Sequence, residues 1–302
     1  MHDSNAKGAP PSVAAALIAG ALSGAVAKTT IAPLDRTKIN FQVSRTRRYS
    51  FKAALKFIRL TYQSEGFLAL YRGNSATLAR VVPYAAIQFA VHERAKYLLA
   101  VDVGAKTPGR RYVAGSLAGV CAVACTYPLD TAKARLSISP KTEYRGIVDV
   151  FVKVTKVDGI RSLYRGILPT LAGVIPYAGS SFWTFGTLKG LYRDEFGVDP
   201  SAPYVMAMGA AAGLVGQSSS YPLDIVRRRM QTGRCPPGLT ILQLLVHIAK
   251  NEGIKRGLYK GLSMNWVKGP IATGVSFTTF NSVFPYLSSH LSGDSSTSPS
   301  FQ

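Results

Sequence analysis

Apolar residues in this chain are gathered into long stretches. They are not spread at the period of a single helix face or strand. No formal charge interrupts residues 8–27, 112–129, 166–188, 200–223 or 269–293. Each stretch has roughly the ~20 residues a helix needs to cross the hydrocarbon core of a bilayer. The stretches are rich in Gly, Ala and Ser, which lets helices pack closely in lipid. The polar segments between them hold short amphipathic helices, predicted over 52–63, 146–157 and 239–250.

The pattern repeats. "APLDRTK" begins at Ala32, "YPLDTAK" at Tyr127 and "YPLDIVR" at Tyr221, and their prolines stand 95 and 94 residues apart. Each proline lies 13 residues after the first glycine of a pair: Gly20/Gly24, Gly115/Gly119 and Gly209/Gly213. An acidic-glycine pair and an aromatic-basic-glycine triplet follow in "EGFLALYRG" from Glu65, "DGIRSLYRG" from Asp158 and "EGIKRGLYKG" from Glu252. Pro83, Pro176 and Pro270 come next. Two spans per repeat make every copy enter from the same side, which gives parallel repeats about an axis along the membrane normal. The expectation is an all-α membrane protein. It has six transmembrane helices in three tandem repeats with pseudo-threefold symmetry, plus three short amphipathic helices on one side. The predicted boundaries are a tail at 1–11, repeats at 12–101, 109–195 and 202–290, and a disordered tail at 291–302.

Pro33, Pro128 and Pro222 are expected to kink the odd-numbered helices. Just beyond them stand Asp35 and Lys38, Asp130 and Lys133, and Asp224 and Arg227. An acid and a base three apart share one helix face and can pair there. Alternatively, three converging helices can exchange partners in a ring, and the threefold recurrence favours the ring. Exposed pairs contribute roughly 0–1 kcal/mol each and partly desolvated ones more. Three therefore suit a gate that closes and reopens.

Charge narrows the function. Lys and Arg number 36 against 15 acids, a net +21. In a soluble protein this would suggest nucleic acid. Here the cations lie mostly between the apolar stretches, and no nucleic-acid-binding motif is present. They suit anionic headgroups and a cavity for an anionic solute. Cys121, Cys125 and Cys235 make no disulfide framework or metal cluster. The N-terminus has neither a secretory signal nor an Arg-rich transit pattern. No catalytic constellation is visible, so neither an enzyme nor a cofactor is expected.

Solute contacts are sought where the repeats differ. Seven residues past each triplet glycine stand Arg80, Gly173 and Lys268, and five before each odd-helix proline stand Lys28, Val123 and Gln217. Charges at membrane depth are costly and usually line a polar cavity. Lys28, Arg80 and Lys268 suit a multiply charged anion such as a phosphate ester. The Gly173–Val174 step leaves room for a flat ring.

The threefold P-x-[DE]-x-x-[KR], with its [DE]-G and aromatic-[KR]-G companions, resembles the mitochondrial carrier family over nearly the whole chain, about residues 12–290. The resemblance implies a six-helix bundle in the mitochondrial inner membrane, with alternating access, both termini in the intermembrane space and the short helices on the matrix side. It implies a matrix gate of Asp35–Lys133, Asp130–Arg227 and Asp224–Lys38, braced by Gln42 and Gln231, while Ser137 stands at the third brace position and Asn40 replaces the motif's last base. Of the opposite gate, only Glu93, Lys96 and Lys189 remain as charges, which implies a weak cytoplasmic latch. Family contact positions also fall on Tyr84 and Gln88. Stretches such as "YRGNSATLARVVPYAAIQF" and "YPLDIVRRRMQT" resemble carriers of coenzyme A, which implies its import by exchange with adenine nucleotides such as adenosine 3′,5′-bisphosphate or ADP. The alternative is another adenine-nucleotide carrier, of ADP/ATP type or of ATP-Mg/phosphate type without calcium regulation. Cardiolipin is an implied lipid partner, and the monomer the implied functional form.

Overall fold

A computed structural model describes residues 13–101, 108–236 and 238–291. The expected tails lie outside these residues, apart from Leu291. Eleven α-helices account for most of the described chain: α1 (Val13–Thr30), α2 (Ala32–Val43), α3 (Phe51–Glu65), α4 (Asn74–Leu98), α5 (Pro108–Ile138), α6 (Ile147–Asp158), α7 (Ile167–Ala172), α8 (Val174–Phe196), α9 (Ala202–Gln231), α10 (Ile241–Glu252) and α11 (Leu262–Leu291). Among the described residues there is no strand.

The expected break at P-x-D occurs in the first repeat, where α1 ends at Thr30 and α2 begins at Ala32. Pro33 thereby sits in the first turn of α2, where a missing N–H costs little. In α5 and α9 the backbone stays helical through Pro128 and Pro222. Conversely, the second helix of the middle repeat divides into α7 and α8 at Gly173. Among the described residues one helix, Gly109–Ile138, is by itself long and apolar enough to cross a membrane. The stretch on either side of Ile31 makes a second if it is counted as one span. The other long helices are diluted by the cations and hydroxyl residues described below. They nonetheless expose large apolar side chains, among them Phe89, Phe182, Trp183 and Met206. Large apolar side chains exposed in such number suit contact with lipid.

The short amphipathic helices form at the three predicted places for local reasons. Ser50 Oγ accepts from the Ala53 N–H at the start of α3, and Thr240 and Gln243 make a reciprocal capping box at the start of α10. Each helix ends on the glycine of its acidic-glycine pair, Gly66, Gly159 or Gly253, at φ of 82°, 76° and 82°. In the third repeat the extra residue of "EGIKRGLYKG" is absorbed by a π turn over Ile254–Leu258. The other two repeats have a 3-10 turn there.

The chain divides into two compact units, residues 13–31 with 268–291, and Ala32–Val267. In the larger unit the core consists of three corresponding clusters, each joining a short helix to the end of α2, α5 or α9. Phe41, Ala54 and Met264 form one; Ala132, Leu136, Val150 and Val154 are the centre of the second; Ile225, Val226, Leu244 and Ile248 are the centre of the third. Burying one such aliphatic side chain contributes about 1.5–3 kcal/mol. The clusters hold the ends of α2, α5 and α9 in place, and the charged site is built on those ends.

Candidate functional site

Three ion pairs join α2, α5 and α9 in a cycle. Lys133 Nζ lies 2.9 Å from Asp35 Oδ2, Arg227 lies 2.7 Å from Asp130 Oδ2, and Lys38 Nζ lies 2.9 Å from Asp224 Oδ2. Each base therefore pairs with the acid of a neighbouring repeat, not with the acid three residues before it. All six side chains are a quarter exposed or less. Removing one partner of a buried pair costs about 3–5 kcal/mol, because the other charge is stranded. Two of the bases also lie over aromatic rings, Lys38 5.2 Å from the centroid of Tyr221 and Arg227 5.9 Å from that of Tyr127.

The two glutamines differ. Gln42 Nε2 donates to Asp224 Oδ2 at 3.1 Å and to the Tyr221 hydroxyl at 3.2 Å. Gln231 does not reach Asp130. Its Oε1 accepts from Arg228 at 3.0 Å. Arg228, three positions earlier on the same helix face, thus takes the amide oxygen of the expected second brace. Arg228 is half-buried, with its Nε sequestered. Ser137 turns back to the carbonyl of Lys133.

A second cycle, absent from the expectations, runs in the opposite sense. Arg36 Nε donates to the carbonyl of Ser137, Arg135 Nε to that of Gln231, and Arg229 Nε to that of Gln42, at 3.3, 3.1 and 3.2 Å. These carbonyls belong to the last turns of α5, α9 and α2, where no intrahelical donor remains and a cation complements the helix dipole. Each arginine also holds the acid of its own acidic-glycine pair: Arg36 with Glu65, Arg135 with Asp158, Arg229 with Glu252, the first two at 3.0 and 2.9 Å. In the first repeat Arg36 does this from a position four residues before Asn40. Asn40 keeps a lesser share, donating to the same Ser137 carbonyl at 2.7 Å. The signal was present in the sequence, since residues four apart on a helix share a face.

The bases of the triplets clamp further carbonyls. Arg72 donates to those of Pro140 and Tyr144, and Lys260 Nζ to that of Ser44 at 2.7 Å. Burial lowers the Lys260 pKa below the ordinary lysine value, against the opposing pull of Glu252. Beside Lys260 a cleft of about 950 Å³ is lined by Arg45, Arg47, Arg48, Lys255 and Arg256. The acid on its wall, Glu252, is already engaged by Arg229.

Of the expected solute contacts, Arg80 is the one most firmly tied to the cycle. It pairs with Asp130 Oδ1 at 2.8 Å, donates to Thr126 Oγ1 at 3.1 Å and lies 4.9 Å from the centroid of the Tyr84 ring. Gln88 and Val174 are exposed, and Gly173 sits at the α7–α8 junction. Gln217 accepts from Asn265 Nδ2 at 2.9 Å, and Asn265 Oδ1 accepts from Lys38 at 3.1 Å, so a polar chain leads to the cycle through a residue the sequence reading missed. Lys28 and Lys268 belong to the smaller unit. There Lys28 borders a groove of about 450 Å³ with Ser23, Thr273, Ser276, Phe277 and Phe280. Of the charges expected at the opposite gate, Glu93 pairs with Lys96 on its own helix at 2.7 Å, and Lys189 lies 3.6 Å from Asp199.

Two interlocked threefold cycles thus join the three repeated P-x-D helices. The family model described as mitochondrial carrier protein matches residues 9–102, 104–196 and 199–291. The chain belongs to the mitochondrial carrier family, whose members are transporters of the mitochondrial inner membrane and not enzymes. It is 54% identical over 276 residues to a protein of Homo sapiens named mitochondrial coenzyme A transporter, covering 89% of this chain and 86% of that one. The protein of the same name from Xenopus tropicalis is 54% identical over 281 residues, covering 89% and 84%. Solute carrier family 25 member 16 of Mus musculus is 41% identical over 283 residues, covering 87% and 85%.

Proposed function

We propose that the protein imports coenzyme A into the mitochondrial matrix in exchange for adenine nucleotides, such as adenosine 3′,5′-bisphosphate or ADP. The observation that carries this reading is the 54% identity, over 89% of the chain, to a coenzyme A transporter. The mechanism is alternating access through six transmembrane helices in three pseudo-threefold repeats, with both termini in the intermembrane space. Asp35–Lys133, Asp130–Arg227 and Asp224–Lys38, with Gln42 as brace, act as the matrix gate. The solute contacts are Arg80, Tyr84, Gln88, Gly173 and Val174 on the larger unit, and Lys28 and Lys268 on the smaller. Arginine suits phosphate esters because its fork donates two parallel hydrogen bonds. The carrier works as a monomer. The cleft lined by six cations, Lys260 among them, suits the diphosphate headgroup of cardiolipin.

The competing reading is a different adenine-nucleotide carrier. Vesicles reconstituted with the protein and loaded with labelled ADP separate the two. Coenzyme A outside is expected to drive ADP release and to accumulate inside. ADP–ADP exchange with no coenzyme A uptake would establish the competitor.

A further inference from the structure

Asp130 is shared between two cations of different origin. Arg227 on α9 takes Oδ2 as part of the cycle, and Arg80 on α4 takes Oδ1. At Asp224 the corresponding second contact comes from the neutral amide of Gln42, whereas Gln231 is held by Arg228 and does not reach Asp130. The brace on Asp130 is therefore a charged side chain at a position read as a solute contact. The two partners differ in access: 27% of the Arg80 side chain is exposed against 6% of Asp130.

We propose that Arg80 is a displaceable brace that couples solute capture to opening of the gate. An anionic oxygen of the solute, of the phosphate-ester class, competes with Asp130 for the guanidinium. Capture removes one of the two cations on Asp130 and leaves its pair with Arg227 as the remaining hold. The carboxylate is not stranded, because Arg227 still neutralises it, so release is cheap and reversible. A ligand shifts a conformational equilibrium only through its differential affinity for the two states. Holding Arg80 away from Asp130 supplies that difference, since the solute binds best where the brace is already undone. Thr126 and the Tyr84 ring keep the guanidinium oriented in the meantime. Arg80 is on this account a positioning residue for the gate as well as a solute contact, and the proposal rests on the latter reading.

The first test needs no solute. Thermal unfolding of the purified full-length protein is measured for Arg80→Gln, Asp130→Asn and the double variant. Arg80→Gln is expected to lower the melting temperature. Its effect is expected to shrink markedly in the Asp130→Asn background, because residues in contact are non-additive. Arg80→Lys, which keeps a charge, is expected to fall between Arg80→Gln and the parent and serves if Arg80→Gln fails to fold. The second readout uses labelled adenosine 3′,5′-bisphosphate in vesicles, with release into buffer compared with release against the same nucleotide outside. The ratio of uncompensated release to exchange is expected to rise several-fold in the Arg80 variants. An unchanged solute-free melting temperature, or additive losses with Asp130→Asn, would overturn the brace and leave Arg80 a binding residue only. If the brace results hold while coenzyme A is taken up by no variant and not by the parent, the assigned solute fails and this inference stands.

Discussion

Gln42 and Lys38 grip one atom: Gln42 Nε2 donates to Asp224 Oδ2 at 3.1 Å, and Lys38 Nζ reaches the same oxygen at 2.9 Å. A hydrogen bond to a charged group contributes about 1.5–3 kcal/mol. Gln42→Ala removes that contact and leaves the ion pair intact. Gln231→Ala removes a contact to Arg228 that lies outside the cycle. Gln42→Ala is therefore expected to lower the melting temperature of the purified carrier more than Gln231→Ala does. Equal shifts at the two positions would refute this distinction.

Arg36 and Asn40 offer a second comparison. The Arg36 guanidinium bonds the carbonyls of Ser137 and Ala69 and the carboxylate of Glu65, and it is 4% exposed. Asn40 shares only the Ser137 carbonyl and that of Arg36 on its own helix. Arg36→Ala removes the hydrogen bonds to two carbonyls and the partner of the partly exposed Glu65 carboxylate. It is expected to cost about 1.5–3 kcal/mol, the range for hydrogen bonds to a charged group. Asn40→Ala is expected to cost about 1 kcal/mol, the typical worth of one neutral hydrogen bond. Chemical denaturation of the two variants measures both. A larger loss for Asn40→Ala would show that the motif position, and not the arginine beside it, carries the contact.

These two cases mark how far the sequence could be read. Threefold repetition of an acid and a base at one helical position pointed to exchanged partners, because three copies of a pairable unit can satisfy one another. The short helices were legible from apolar period and capping residues. The second brace was not. The family resemblance implied Gln231 as a brace, but which side chain an amide meets is settled by competition among neighbours, and Arg228 lies within reach on the same face. The link from Gln217 through Asn265 to Lys38 spans 48 and 227 residues of sequence. No periodicity encodes such a contact.

At the positions expected to form the opposite gate, Glu93 is satisfied by Lys96 on its own helix, and both are more than a third exposed. Pairs of that kind contribute little, roughly 0–1 kcal/mol. Two acids and one base of a complete cycle are replaced, by Gly186, Asn281 and Phe284. Gly186→Asp with Asn281→Asp is expected to strengthen the cytoplasmic latch and slow exchange, because each cycle must then break more pairs. Initial exchange rates in vesicles decide it: unchanged rates would sink the weak-latch reading.

The triplet glycine of the first repeat is held by sterics that no side chain can meet. Gly73 has φ of 87°, and a Cβ there would lie 2.8 Å from Ser137 Oγ and 2.9 Å from the carbonyl oxygen of Lys133. The hydroxyl can rotate away, but the carbonyl belongs to a helix whose side chain at that residue pairs with Asp35. Gly66 has a similar φ of 82° with open space around it. Gly66→Ala therefore meets only backbone strain, of order 1–3 kcal/mol. Gly73→Ala adds a clash that pushes α5 at the base of Lys133. The melting temperature is expected to fall further for Gly73→Ala than for Gly66→Ala, and Lys133→Ala is expected to have less effect in the Gly73→Ala background than in the parent. If Gly73→Ala and Lys133→Ala were additive, the close approach of Gly73 to α5 would have no bearing on the ion-pair cycle.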